Sequence, residues 1–150
     1  MMLKGKVSRF LMDRITAALI AHRDAFLSAA REQLPRLDTG DQAQAEQTFR
    51  GLNQLLFSAV QTDVIQAVRE AYPGADTRLE EALRNPSLVS SGAAAGMPFS
   101  AEHVYSICFW AVTGSQASGR KQLAVKQLQS LAIQDAMQQL SAELSANQYS

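Results

Sequence analysis

An all-α bundle of about five helices is what the sequence predicts, and three observations predict it. Apolar residues recur at three- and four-residue spacing over long stretches. All four prolines fall between those stretches. One stretch, Val104 to Val112, is apolar around nearly its whole circumference. The chain has 150 residues, 47 % of them hydrophobic, which suffices to bury a sizeable core as a single helical domain over 1–150.

The first helix is expected from Val7 to Leu34, with Leu11, Ile15, Ala18, Leu19, His22, Phe26 and Ala30 on one face. Pro35 should stop it, because proline lacks a donor and clashes with the preceding turn. Thr39-Gly40-Asp41 reads as a turn. Asp41 then caps a second helix, with Gln44 completing a capping box. That helix runs to about Tyr72, ended by Pro73-Gly74, with Phe49, Leu52, Leu56, Ala59, Val60, Ala67 and Ala71 on its face and Val64 and Val68 beside it.

Thr77 and Glu80 repeat the capping-box pattern, so a short helix to about Arg84 is expected. A mobile loop over 86–99 should follow, where Ser90-Ser91-Gly92 and Gly96-Met97-Pro98 break helix. Ser100 reads as an N-cap, with Phe99 and Val104 at the spacing of a hydrophobic staple. The helix near residues 101–113 becomes the centre of the bundle, since a helix apolar all round is buried. Gly114 ends it. The last helix, 117–146, carries two apolar directions. Ala124, Leu128 and Leu131 mark one. Ile133, Met137, Leu140 and Leu144 mark another, more than a quarter-turn away. A bend near Ser130–Ala132 or a second packing partner is implied, and the second set is the predicted interaction surface.

Formal net charge is +0, from 14 basic and 14 acidic residues. That balance argues against a dedicated nucleic-acid binder and against electrostatic docking on anionic membranes. Cys108 is the only cysteine, so neither an intrachain disulfide nor a repeated-cysteine zinc site is available. Asp13 and Arg14 interrupt the N-terminal apolar pattern, and no run approaches the roughly 20 residues of a spanning helix. A cytoplasmic location without membrane contact is expected.

His22 sits mid-face between Leu19 and Phe26, where a base or ligand is conceivable and a hydrogen-bonded core histidine is the commoner outcome. Asp63 falls between Ala59 and Ala67 on the second helix. If the two helices form an antiparallel hairpin, His22 and Asp63 meet as a buried polar pair that fixes register. Cys108 and His103 point about 140° apart on their helix, which disfavours a nucleophile–base pair. Glu80, Glu81 and Glu102 form no catalytic pair, and no metal site or cofactor motif is present. Ser91 to Gly96 lacks the strand and lysine of a phosphate loop.

The leading expectation is therefore a non-catalytic protein–protein interaction module: an adaptor, chaperone-like factor, inhibitor or regulator, self-associating, partnered by another protein. A nucleic-acid-associated factor is the alternative, using Lys4, Lys6, Arg9, Arg120 and Lys121, with a weak helix-turn-helix reading at Gly114–Lys121. A ligand-binding bundle or enzyme centred on His22 and Asp63, with Tyr105 or His103, comes third. The glutamines of the last helix (Gln122, Gln127, Gln129, Gln134, Gln138, Gln139) suit an interaction surface weakly.

Overall fold

The computed structural model describes residues 2–37, 40–85 and 100–148. Their elements are all helical: α1 Met2–Ala21, α2 Arg23–Glu32, the single-turn α3 Leu34–Leu37, α4 Gln42–Ala71, a 3-10 turn Pro73–Ala75, α5 Asp76–Arg84, α6 Ala101–Thr113 and α7 Gly119–Gln148. The expected loop 86–99 and the Phe99 half of the staple lie outside the described residues.

The expected first helix is three pieces, because two residues leave helical backbone. His22 (φ −98, ψ 3) and Gln33 (φ −95, ψ 8) sit in the bridge region. The hydrogen-bond ladder survives the first break, with His22 N–H to Ala18 O and Phe26 N–H to His22 O both at 3.0 Å. The break re-aims the chain: α1 packs on α6 and α4, whereas α2 packs on α7 and α4. Pro35 does not stop the chain. It falls in the first turn of α3, where its missing N–H costs nothing.

α4 begins where expected, with the Asp41 carboxylate accepting from the N–H groups of Ala43 and Gln44 at 3.1 and 3.2 Å. Its buried row is Leu52, Leu56, Val60, Val64, Ile65 and Val68. The face is thus centred on Val60, Val64 and Val68. The Ala59–Asp63–Ala67 row becomes its margin, and Ala71 is exposed. α1 and α4 run antiparallel, as Phe10 meets Tyr72 and His22 meets Asp63. The Thr77 capping box does not form. α5 starts two residues earlier behind Ala75, with no side-chain cap, and Glu80 pairs with Arg69, which also holds Asp76 at 3.0 Å.

α6 is the centre of the bundle, touching α1, α4, α5 and α7. Nine of its 13 residues are buried. Ser100 caps it, accepting from His103 N–H at 3.3 Å. Gly114 ends it in left-handed backbone at φ 73, and a Cβ there would lie 2.8 Å from the Arg78 guanidinium. Tyr105, wholly buried, shares a 2.8 Å hydrogen bond with Ser8.

α7 is a single unbroken helix, so its two apolar directions have another cause. Its first half meets α6, where the Gln129 side chain accepts from Ala101 N–H at 2.6 Å. Its second half lies along α2. Arg23 donates to Asp135 at 3.0 Å, and Arg31 makes a bidentate pair with Glu143 at 2.9 and 2.7 Å. Both pairs span 112 residues of sequence, so the rungs are two turns apart on each helix and α2 and α7 run parallel.

Candidate functional site

The predicted interaction surface is largely consumed within the chain. Leu140 is 3 % exposed and belongs to the core, while Ile133 and Met137 pack half-buried against it. These three side chains take the places that a second subunit was expected to fill, because α2 covers that side of α7. The Leu144 side chain lies outside what is described. Among the described residues, the large apolar side chains that α7 leaves exposed to water are instead Leu123 and Leu131.

Leu131 stands at the edge of an apolar groove of about 300 Å³ between α1–α2 and α7, floored by Leu56 of α4. Leu19, Phe26, Leu128, Ala132 and Ala136 form its walls. Ile20, 69 % exposed, stands on the α1 rim, and Leu131, 63 % exposed, on the α7 rim. Arg23 and Asp135 also line it, and their ion pair links the two walls. Two large aliphatic side chains beside an apolar slot form a patch that is costly to leave in water. The sequence signal for it was faint: Ile20 lies off the apolar face of α1, and Leu131 belongs to the apolar direction of α7 that was not the predicted interaction surface.

His22 and Asp63 do meet, with Nε2 2.7 Å from Oδ2. They are not buried, however: their side chains are 30 % and 48 % exposed. The position of Asp63 on the margin of α4 explains this. The groove that Asp63 borders is lined otherwise by Arg14, Ala17, Ala18, Ala21, Gln66, Ala67 and Glu70, none of which carries a hydroxyl or thiol. The pair ties the α1–α2 break to α4.

Cys108 is wholly buried, and burial pushes its thiol up to about 12, which leaves almost no thiolate at neutral pH. His103 is also inside, and burial holds its imidazole below the ordinary histidine value despite the nearby Glu102 carboxylate. Neither residue, nor Tyr105, lines the grooves described here. Among the described residues no group of three or more His, Cys, Asp or Glu is placed to hold a metal ion.

Arg120 and Lys121 are exposed in the first turn of α7. Ser118 already occupies two of that turn's donors, its hydroxyl accepting from Lys121 N–H at 3.2 Å and its carbonyl from Gln122 N–H at 3.0 Å. The preceding helix, α6, is interior and cannot lie on a nucleic-acid backbone. The cations of α1 are placed differently. Lys6 and Arg9 border an open groove of about 560 Å³ together with Gly5, Phe10, Asp13 and Tyr72. The Phe10 and Tyr72 rings meet edge-to-face, 5.4 Å apart at 89°.

The fold and its surfaces define an all-α helical bundle. No protein-family model matches the chain, no curated protein matches it, and no solved structure matches it. No helix among the described residues is long and apolar enough to cross a membrane.

Proposed function

We propose that this chain is a non-catalytic protein–protein interaction module, an adaptor, chaperone-like factor, inhibitor or regulator that also self-associates. The observation that carries the reading is the α1–α2/α7 groove, with Ile20 and Leu131 exposed on its two rims. A second copy offers both halves of a match, an apolar slot and apolar knobs beside it, and a two-fold contact lets each copy supply both. The inaccessibility of Cys108 and His103 supports a role through surfaces instead of chemistry. A cytoplasmic setting accords with a lone thiol kept in the core.

Sedimentation velocity over a wide concentration range tests this. The expected result is a concentration-dependent rise in mass that Ile20→Glu and Leu131→Glu each abolish without unfolding the chain. A strict monomer at every concentration, or association untouched by both substitutions, overturns it.

A further inference from the structure

We infer that the open groove along α1 and the end of α4 is a nucleotide site, taking a phosphate on Lys6 and Arg9 and a base against Phe10 and Tyr72. Its volume, about 560 Å³, lies in the range of small-ligand sites. Three observations point the same way.

The first is charge. Lys4, Lys6 and Arg9 precede every carboxylate in the chain. All three are exposed, and the ion pairs among the described residues use none of them. The zero net charge of the whole chain therefore conceals a local excess of cations.

The second is the aromatic pair. Tyr72 caps the end of α4, its N–H held by Val68 O at 2.7 Å, so the backbone fixes where its ring starts. Phe10 reaches it from α1, with the Arg14 guanidinium 5.4 Å from the Phe10 ring centre. Both rings are half-buried, held in place yet reachable. Cations flanking aromatic rings are the combination that binds single nucleotide units, because every base has a π-face.

The third is order along the helix. Lys6, Arg9, Phe10 and Asp13 follow one another over about 10 Å at 1.5 Å per residue, a span that suits one nucleoside monophosphate. Cations stand at one end, rings in the middle, and a carboxylate at the other. Gly5 has nothing within 4 Å of where a Cβ would be, so the cationic end stays open. Asp13 is placed to accept from the exocyclic amino group of adenine, cytosine or guanine, a donor that uracil and thymine lack. Arg120 and Lys121 take no part.

The unit recognised is either a free nucleotide or one residue of a single strand. Amide NMR shifts on adding AMP, and anisotropy of labelled short oligo-dA and oligo-dT at low salt, separate these sources. Shifts at Lys6–Asp13 and Tyr72 with AMP indicate the free nucleotide. Binding of oligo-dA alone indicates the strand. Either supports the site. For two phosphate contacts on a single strand, log affinity should fall with log salt at a slope of about −1.4. The exposed double variant Lys6→Gln/Arg9→Gln should remove that slope and weaken binding at least about tenfold. Tyr72→Leu keeps apolar bulk on Phe10, and should weaken binding about tenfold with the slope retained. Asp13→Asn should erase the preference for oligo-dA over oligo-dT. No binding of any probe at low salt overturns the inference. So does a Lys6→Gln/Arg9→Gln variant that binds like the wild type, or an equal loss from Arg120→Gln/Lys121→Gln.

Discussion

α6 and the α2–α7 seam are built by opposite means. α6 sits inside the bundle with water excluded on nearly every side, where Tyr105 shares a hydrogen bond with Ser8 and the Ser106 hydroxyl donates to Glu102 O. The seam is held at the surface by two arginine–carboxylate rungs, and an apolar slot is left open beside it. The residue types that usually signal chemistry, a cysteine, a histidine and a tyrosine, are in the inert region. The surface with something to gain from a partner is made of isoleucine and leucine. A search by residue type therefore points away from the groove where we propose that this molecule meets others.

The sharpest way to break this contrast is in α6. Ile107→Ala should cost about 2–5 kcal/mol, since Ile107 is 1 % exposed and its truncation leaves a void in the core. Denaturant titration with an unchanged slope checks it. A loss below about 1 kcal/mol would mean that α6 is loosely packed. Next comes Gly114→Ala. Left-handed backbone at φ 73 costs an alanine about 1–2 kcal/mol, and the Arg78 side chain must also give way.

The third test uses pH. Burial holds His103 below its ordinary 6.5. On acidification the unfolded chain therefore takes up this proton before the folded one does. The contribution of His103 to stability is complete above 6.5 and shrinks as pH falls below it, until the folded imidazole is protonated too. Melting temperature against pH should show a decline that His103→Gln flattens. The smallest effect belongs to the surface. A double-mutant cycle of His22→Ala and Asp63→Ala should give a coupling of about 0.2–1 kcal/mol, as for other half-exposed pairs. Strict additivity would show that the contact contributes nothing.

Much of the core was legible in the sequence. An all-round apolar stretch from 104 to 112 has only one place to go, and Ser100 and Gly114 mark its ends by chemistry that hardly depends on the rest of the fold. The Asp41 cap was legible for the same reason. The breaks at His22 and Gln33 were not, because neither residue type forbids helix and the departure serves packing of α2 on α7. The face of α4 was misjudged by one row, since its alanines fit an interior or a margin equally well. That one row is why Asp63 meets His22 in view of solvent. On α7 the two apolar directions were read correctly as two environments, but sequence alone does not tell another helix of the same chain from another molecule. The aliphatic groove was missed because its rim residues are exposed ones, and a single exposed leucine or isoleucine carries no periodic signal.

The placement of Cys108 has a practical consequence. It is the sole sulfhydryl in the chain and it is sealed in the middle of α6, so a thiol-directed alkylating reagent meets no competing group and gains access only when the bundle opens. The labelling rate of native protein is thus a clock for that opening, readable without any engineered probe. A ligand that grips the closed form should slow it in proportion to occupancy.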